Sequence, residues 1–182
     1  VLYERTGSLE ILYNVPGEAA DRSGLKKGDV IKSINGKTVK TVLEAQKILM
    51  PLRNDTVIDI VYERDNIENS TLLVLGSRTQ KSFEAAIKRD SMKNLALPLF
   101  GMEIEPTGSY LFKDSYIVKR VYDGSIADEI GLSVNDPFDL KAWRYDLKKR
   151  FALMRIEVKK RKAGFMETNL QLITSIDSNN LI

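Results

Sequence analysis

The stretch "SGLKKGDVIKSINGKTV", Ser23 to Val39, sets three glycines among apolar residues at Leu25, Val30, Ile31, Ile34 and Val39. A glycine just ahead of a leucine reads as the end of a short helical turn. Glycine takes the left-handed conformation of a helix C-cap at low cost, and the leucine can then turn back into a core. Gly28-Asp29 reads as a tight turn, Val30, Ile31 and Ile34 as the apolar residues of a strand, and Asn35-Gly36 as the turn that ends it. In "TVLEAQKILMPL" (41–52), Val42, Ala45, Ile48, Leu49 and Leu52 recur at helical spacing, with Pro51 fixing the end. "TVIDIVYER" (56–64) and "STLLVLG" (70–76) then alternate as paired strands around a polar "DNIEN" turn.

Part of this unit occurs twice. "VPGEAADRSGLKKGDVI" (15–31) aligns without a gap to "YDGSIADEIGLSVNDPF" (122–138), at a constant offset of 107. Gly17 meets Gly124, Ala20 Ala127, Asp21 Asp128, Gly24 Gly131, Leu25 Leu132 and Asp29 Asp136. Each copy is preceded by a β-rich segment, "SLEILYNV" or "SYIVKRVY". The predicted organisation is a first domain over 1–79, a helical linker over 80–97 and a second domain over 98–182. Units of about 80 residues are workable as small domains. In the linker, Phe83, Ala86, Ile87 and Met92 would form one apolar stripe of a docking helix.

Composition narrows the function. The chain of 182 residues is 43% hydrophobic and 29% charged, as a globular protein is, and its net charge of +3 asks for no nucleic-acid partner. The run "NLALPLFGM" (94–102) is far short of the roughly 18 apolar residues that span a bilayer, so no membrane segment is expected. The start at Val1 reads as that of an excised piece, with any leader or anchor out of view. There is no cysteine and no histidine. That excludes disulfides, thiolate chemistry, imidazole metal ligands and a Ser-His-Asp triad within these residues. No phosphate loop or calcium-loop spacing occurs, and no cofactor is expected. The basic run "VKKRKAG" (158–164), with Arg155 nearby, reads as a solvated hairpin tip, and Trp143, Tyr145 and Phe151 as residues closing a small core.

"GLKKGDVIKSINGKTV" resembles the core signature of PDZ domains, and "GLSVNDPF" (131–138) a weaker form of it. The arrangement is similar to the tandem PDZ regions of HtrA/Deg-type serine proteases. The resemblance implies a mainly β fold with short helices (α+β), as two PDZ-like partly open barrels or sandwiches. It also implies binding of peptide C-termini or unfolded segments, by strand addition beside a helix. Partners would be such peptides, the parent's own protease domain or other subunits, in an extracytoplasmic or periplasmic setting. The parent would be a serine endopeptidase with its catalytic domain upstream. Rivals with the same fold are an adaptor pair and the PDZ pair of an intramembrane metalloprotease.

In the second domain the resemblance implies a carboxylate-binding loop at "LFGM", Leu99, Phe100, Gly101 and Met102, running into a peptide-pairing strand with Glu103 and Ile104. In the first it implies pairing along Leu2 and Tyr3, with Leu43, Gln46, Leu49 and Met50 on the groove helix, and a carboxylate loop upstream of Val1. Fewer residues separate "NDPF" from the next strand of the second domain than in the first. Its groove helix is therefore expected to be short, over Tyr145 to Leu153, and its groove narrowed or lost.

Overall fold

The computed structural model describes residues 1–76, 82–107, 114–161 and 165–176, and it divides into two compact units, Val1–Arg89 and Asp90–Asp177. Both are mostly antiparallel sheet, and neither sheet closes into a barrel.

In the first unit, β1 (Leu2–Arg5), β2 (Ser8–Ile11), α1 (Ala19–Arg22), β3 (Val30–Ile34) and β4 (Lys37–Thr38) precede α2 (Val42–Leu49). β5 (Val57–Arg64), β6 (Ile67–Val74) and α3 (Ser82–Arg89) follow. The sheet order is β1-β2-β3-β5-β6, with β4 on β3. Three hairpins turn on two residues of positive φ, Thr6-Gly7 (29°, 78°), Asn35-Gly36 (49°, 72°) and Asp65-Asn66 (53°, 62°). Such turns carry the right-handed twist of the flanking strands. The expected "DNIEN" turn is thus only Asp65-Asn66, and Ile67 to Asn69 are strand. Leu9, Ile31, Ile34, Ala45, Ile58 and Ile60 lie in the core. α3 belongs to this unit, its Arg89 guanidinium donating to Pro16 O at 2.8 Å and to Glu18 at 3.2 Å.

The second unit contains α4 (Met92–Phe100), β7 (Met102–Pro106), β8 (Ser115–Val121), α5 (Ile126–Glu129), β9 (Pro137–Asp146), β10 (Phe151–Arg161) and β11 (Phe165–Ser175). Its order, β11-β10-β9-β8-β7, is a plain meander. The helix expected over Tyr145 to Leu153 does not form. Asp146 accepts from Lys148 N and Lys149 N, both at 2.9 Å, and Arg150 takes a φ of 54°, so the chain reverses at once. Beyond the turn, Ala152, Met154, Ile156 and Val158 are wholly buried at every second position, the period of a strand. The stripe expected of Phe83, Ala86, Ile87 and Met92 is divided, because α3 ends at Arg89 and Met92 starts α4. Of the basic hairpin, Lys159 is paired across the sheet with Asp139 at 2.8 Å.

The repeated sequence is a repeated hydrogen-bond pattern. Gly17 N donates to Asp21 and Gly124 N to Asp128, at 2.7 and 2.9 Å. Leu25 N reaches Ala20 O as Leu132 N reaches Ala127 O. Lys26 N meets the Asp29 carboxylate as Ser133 N meets Asp136, at 2.7 and 2.9 Å. The helical turns end on left-handed Gly24 (81°) and Gly131 (78°). Where the first copy has Gly28 at φ 91°, the second has Asn135 at 70°, and each donates its N–H at 2.8 Å to the preceding strand, at Ile11 O and Val118 O. Asparagine tolerates this region better than other residues with a side chain. A Cβ at Gly28 would meet nothing within 4 Å. Gly28→Asn is therefore expected to cost under about 1 kcal/mol in urea unfolding, and the β-branched Gly28→Val about 2 or more.

Asp29 differs from its counterpart in burial: it is fully buried, whereas Asp136 is partly exposed. Arg64 closes over Asp29 as a fork, Nε to Oδ1 and Nη2 to Oδ2, both 2.7 Å, and also donates to Gly24 O at 2.9 Å. The end of β5, the neighbour of β3, is thereby locked onto the turn that begins β3.

Candidate peptide-binding edges

β1 is an edge strand, paired only with β2 through Leu2↔Ile11, Tyr3↔Glu10, Glu4↔Leu9 and Arg5↔Ser8. Leu12 N donates to Val1 O at 2.9 Å, which makes the odd-numbered residues those bonded inward. Leu2 and Glu4 therefore turn their N–H and C=O groups outward, where no described strand pairs with them. Side by side with this edge runs α2, tied to it by Val42 N donating to Glu4 Oε1 at 2.7 Å.

The helix starts where it does because of a capping box: Glu44 N donates to Thr41 Oγ1, and the Glu44 carboxylate accepts from Thr41 N and Lys40 N. These bonds, the one from Lys40 N foremost, hold the Glu44 carboxyl below its ordinary value. The sign follows: the cap's contribution is present above the ordinary Glu range and is lost as pH falls through the lowered value.

Of the residues expected at the first groove, Leu2 lies half-buried against the core, and Tyr3, on the opposite face of the strand, is half-buried too. On α2, Val42, Gln46 and Leu49 are half-buried along one flank, and Leu43 and Met50 stand further round it at 57% and 63% exposure. Leu2, Val42 and Leu49 pack on the same core. Val42 and Glu4 were missing from the expected set. The Thr41-x-x-Glu44 box, which makes Val42 the first helical residue, was the available signal.

The second unit arranges its counterpart differently. Leu99 and Phe100 are the last two residues of α4, both buried, and Phe100 meets Trp143 edge-on at 5.9 Å between ring centres. Gly101 caps the helix at φ 70°: its N–H donates to Leu97 O at 2.9 Å, and its C=O accepts from Tyr122 N at 2.9 Å and the Ser125 hydroxyl at 3.3 Å. Both backbone groups of Gly101 are thus engaged within the fold. Met102 and Ile104 are buried in β7, and Glu103, half-buried, accepts from the Tyr122 hydroxyl at 2.9 Å. Burial and then that bond push the Tyr122 phenol up to about 12. β7 is also an edge strand. Gly101 O accepting from Tyr122 N and Thr107 N donating to Ser115 O set its phase, so that Met102 and Ile104 present their N–H and C=O groups outward. No helix stands between β9 and β10 in the place that α2 takes before β5.

Among the described residues no group of acidic side chains is placed to hold a metal ion, and no helix is long and apolar enough to cross a membrane. Comparison with curated proteins gives no match. Residues 10–64 match the PDZ domain family, and residues 83–176 match the family described as TP0546 family PDZ domain. PDZ domains bind peptides. With more than half of its length covered by the second of these matches, the chain belongs to the TP0546 family of PDZ domains, and it carries two PDZ domains in tandem.

Proposed function

We infer that the first domain binds an extended peptide as an additional strand along β1, in the groove walled by α2. The observation that carries this reading is the outward-facing backbone of Leu2 and Glu4 beside the half-buried flank of Val42, Gln46 and Leu49. Main-chain bonds supply the affinity in such recognition, and side-chain pockets the selectivity. The second domain, with its Gly101 backbone engaged and no groove helix, serves as a companion whose open edge is β7.

The test is a titration of the 182-residue chain with peptides selected from a random library, followed by amide NMR. Binders are expected to shift the signals of Leu2, Glu4 and α2. N-methylation of the peptide at the residues that bond β1 is expected to weaken binding at least about tenfold, since two main-chain bonds are lost. Unchanged affinity on N-methylation, or no binder at all, rejects the reading.

On the larger scale, the chain is read as a regulatory, non-catalytic part of an HtrA/Deg-type serine protease acting outside the cytoplasm. The support is the resemblance of "GLKKGDVIKSINGKTV" and the tandem arrangement. A trypsin-like catalytic domain in the same polypeptide bears this out. A polypeptide without one leaves the two rivals of the same fold, an adaptor pair or the PDZ pair of an intramembrane metalloprotease, which flanking membrane helices and a His-Glu-x-x-His motif would mark.

A further inference from the structure

We propose that Glu4 makes the first domain select peptides with a lysine or arginine two residues before an apolar one. The proposal rests on the strand-addition reading above and adds the ligand's chemistry to it.

The register of β1 carries the argument. Leu2 and Glu4 share one face of the strand, the face on which Leu2 packs into the core and Glu4 reaches α2. Every pairing in this sheet is antiparallel, and an antiparallel partner is the more stable per residue. In such a ladder, directly opposed residues project to the same face. The ligand residue bonded to Glu4 therefore sends its side chain toward α2, alongside the Glu4 carboxylate. The residue bonded to Leu2 lies two positions nearer the ligand's C-terminus and projects over Leu2 and the apolar flank of the helix.

The two places differ in charge. Glu4 spends one oxygen on Val42 N, and its side chain is exposed at the mouth of the groove. Glu44 adds a second carboxylate at the same helix end, in part offset by the adjacent Lys40, while Glu4 itself has no cation among the ion pairs described. A cationic side chain is attracted there and an acidic one repelled. Arg5, the next residue of β1, faces the other side of the sheet and does not offset this. Leu2 and Leu49 pack on the same core, and the apolar surface they share with it suits an apolar side chain.

The whole chain and its Glu4→Gln variant are panned against the same random displayed peptides, and the binders are re-synthesised with Lys, Ala or Glu at the position in question. Glutamine keeps an oxygen for Val42 N, so the variant retains the tie to α2. The wild type is expected to enrich Lys or Arg two positions before an apolar residue, and to bind the Lys peptide about tenfold more tightly than the Glu peptide. In Glu4→Gln that ratio is expected to fall to about threefold or less, with the apolar preference intact. Enrichment without a basic preference, or a ratio that Glu4→Gln leaves unchanged, overturns the proposal while strand addition stands. A chain that enriches no peptide overturns both.

Discussion

Arg64→Met is expected to be among the most destabilising substitutions in the first domain, because it leaves a buried carboxylate without its charged, partly exposed partner. Asp29 is wholly buried, and the Arg64 fork is its charged partner at 2.7 Å. Methionine keeps much of the arginine's length but leaves the carboxylate with the Lys26 N–H alone among the contacts described. A domain of this size has a total stability at the low end of about 5–15 kcal/mol, so the loss takes a large share of it. Urea titration followed by NMR is expected to show the signals of residues 1–76 disappearing early while those of 114–161 persist. Adding Asp29→Asn to Arg64→Met is expected to restore part of the loss. The buried residue is then neutral, and its amide oxygen can still accept from Lys26 N. If Arg64→Met unfolds at the wild-type urea concentration, the pair is not what holds β5 to the turn.

The second large effect belongs to the other domain. Gly101→Ala is expected to cost about 3 kcal/mol. A non-glycine residue at φ 70° contributes about 1–2 of these, and the rest comes from overlap, because a Cβ there would lie 2.1 Å from the Ser125 Cβ. Gly131→Ala is the control, since its φ is 78° but its Cβ would meet nothing within 4 Å. It is expected to cost the conformational part alone. A Gly101 variant no worse than the Gly131 variant in thermal unfolding contradicts the close approach of α5 to the end of α4.

Much of this architecture could be read from residues whose backbone demands are local. Gly24, Asn35-Gly36 and the offset of 107 announced the turn, the hairpin and the duplication, because left-handed turns admit few residue types. What escaped the sequence was decided by burial. Pro98 reads as a break, yet α4 runs through it to Phe100, because Leu95, Ala96, Leu97, Leu99 and Phe100 are all buried and outweigh one lost helical bond. The loop expected at "LFGM" came from the resemblance, and of its four residues only Gly101 lies outside helix and strand. "RYDLKKRFAL" carries good helix formers, but the Asp146 turn and the alternation that begins at Ala152 belong to a hairpin. The groove of the first domain was half visible. Leu2, Gln46 and Leu49 came from the resemblance to the PDZ signature, whereas Glu4 reaches Val42 across 38 positions of sequence, a distance no local pattern encodes.

The meander of the second unit has a bearing on how quickly each domain reaches its native state. Its β9–β10 and β10–β11 pairs close over short turns, and each strand finds its partner next to it in the chain. The first unit must instead bring β3 against β5 across α2 before its sheet is continuous, whereas its β2–β3 pairing across α1 has an equal in β8–β9 across α5. Loop-closure entropy is spent before such separated pairs return any stabilisation, so the search is slower at similar stability. The α2 insertion that supplies the wall of a binding groove also lengthens the folding of the domain that carries it, and the domain without it is the faster folder of the two.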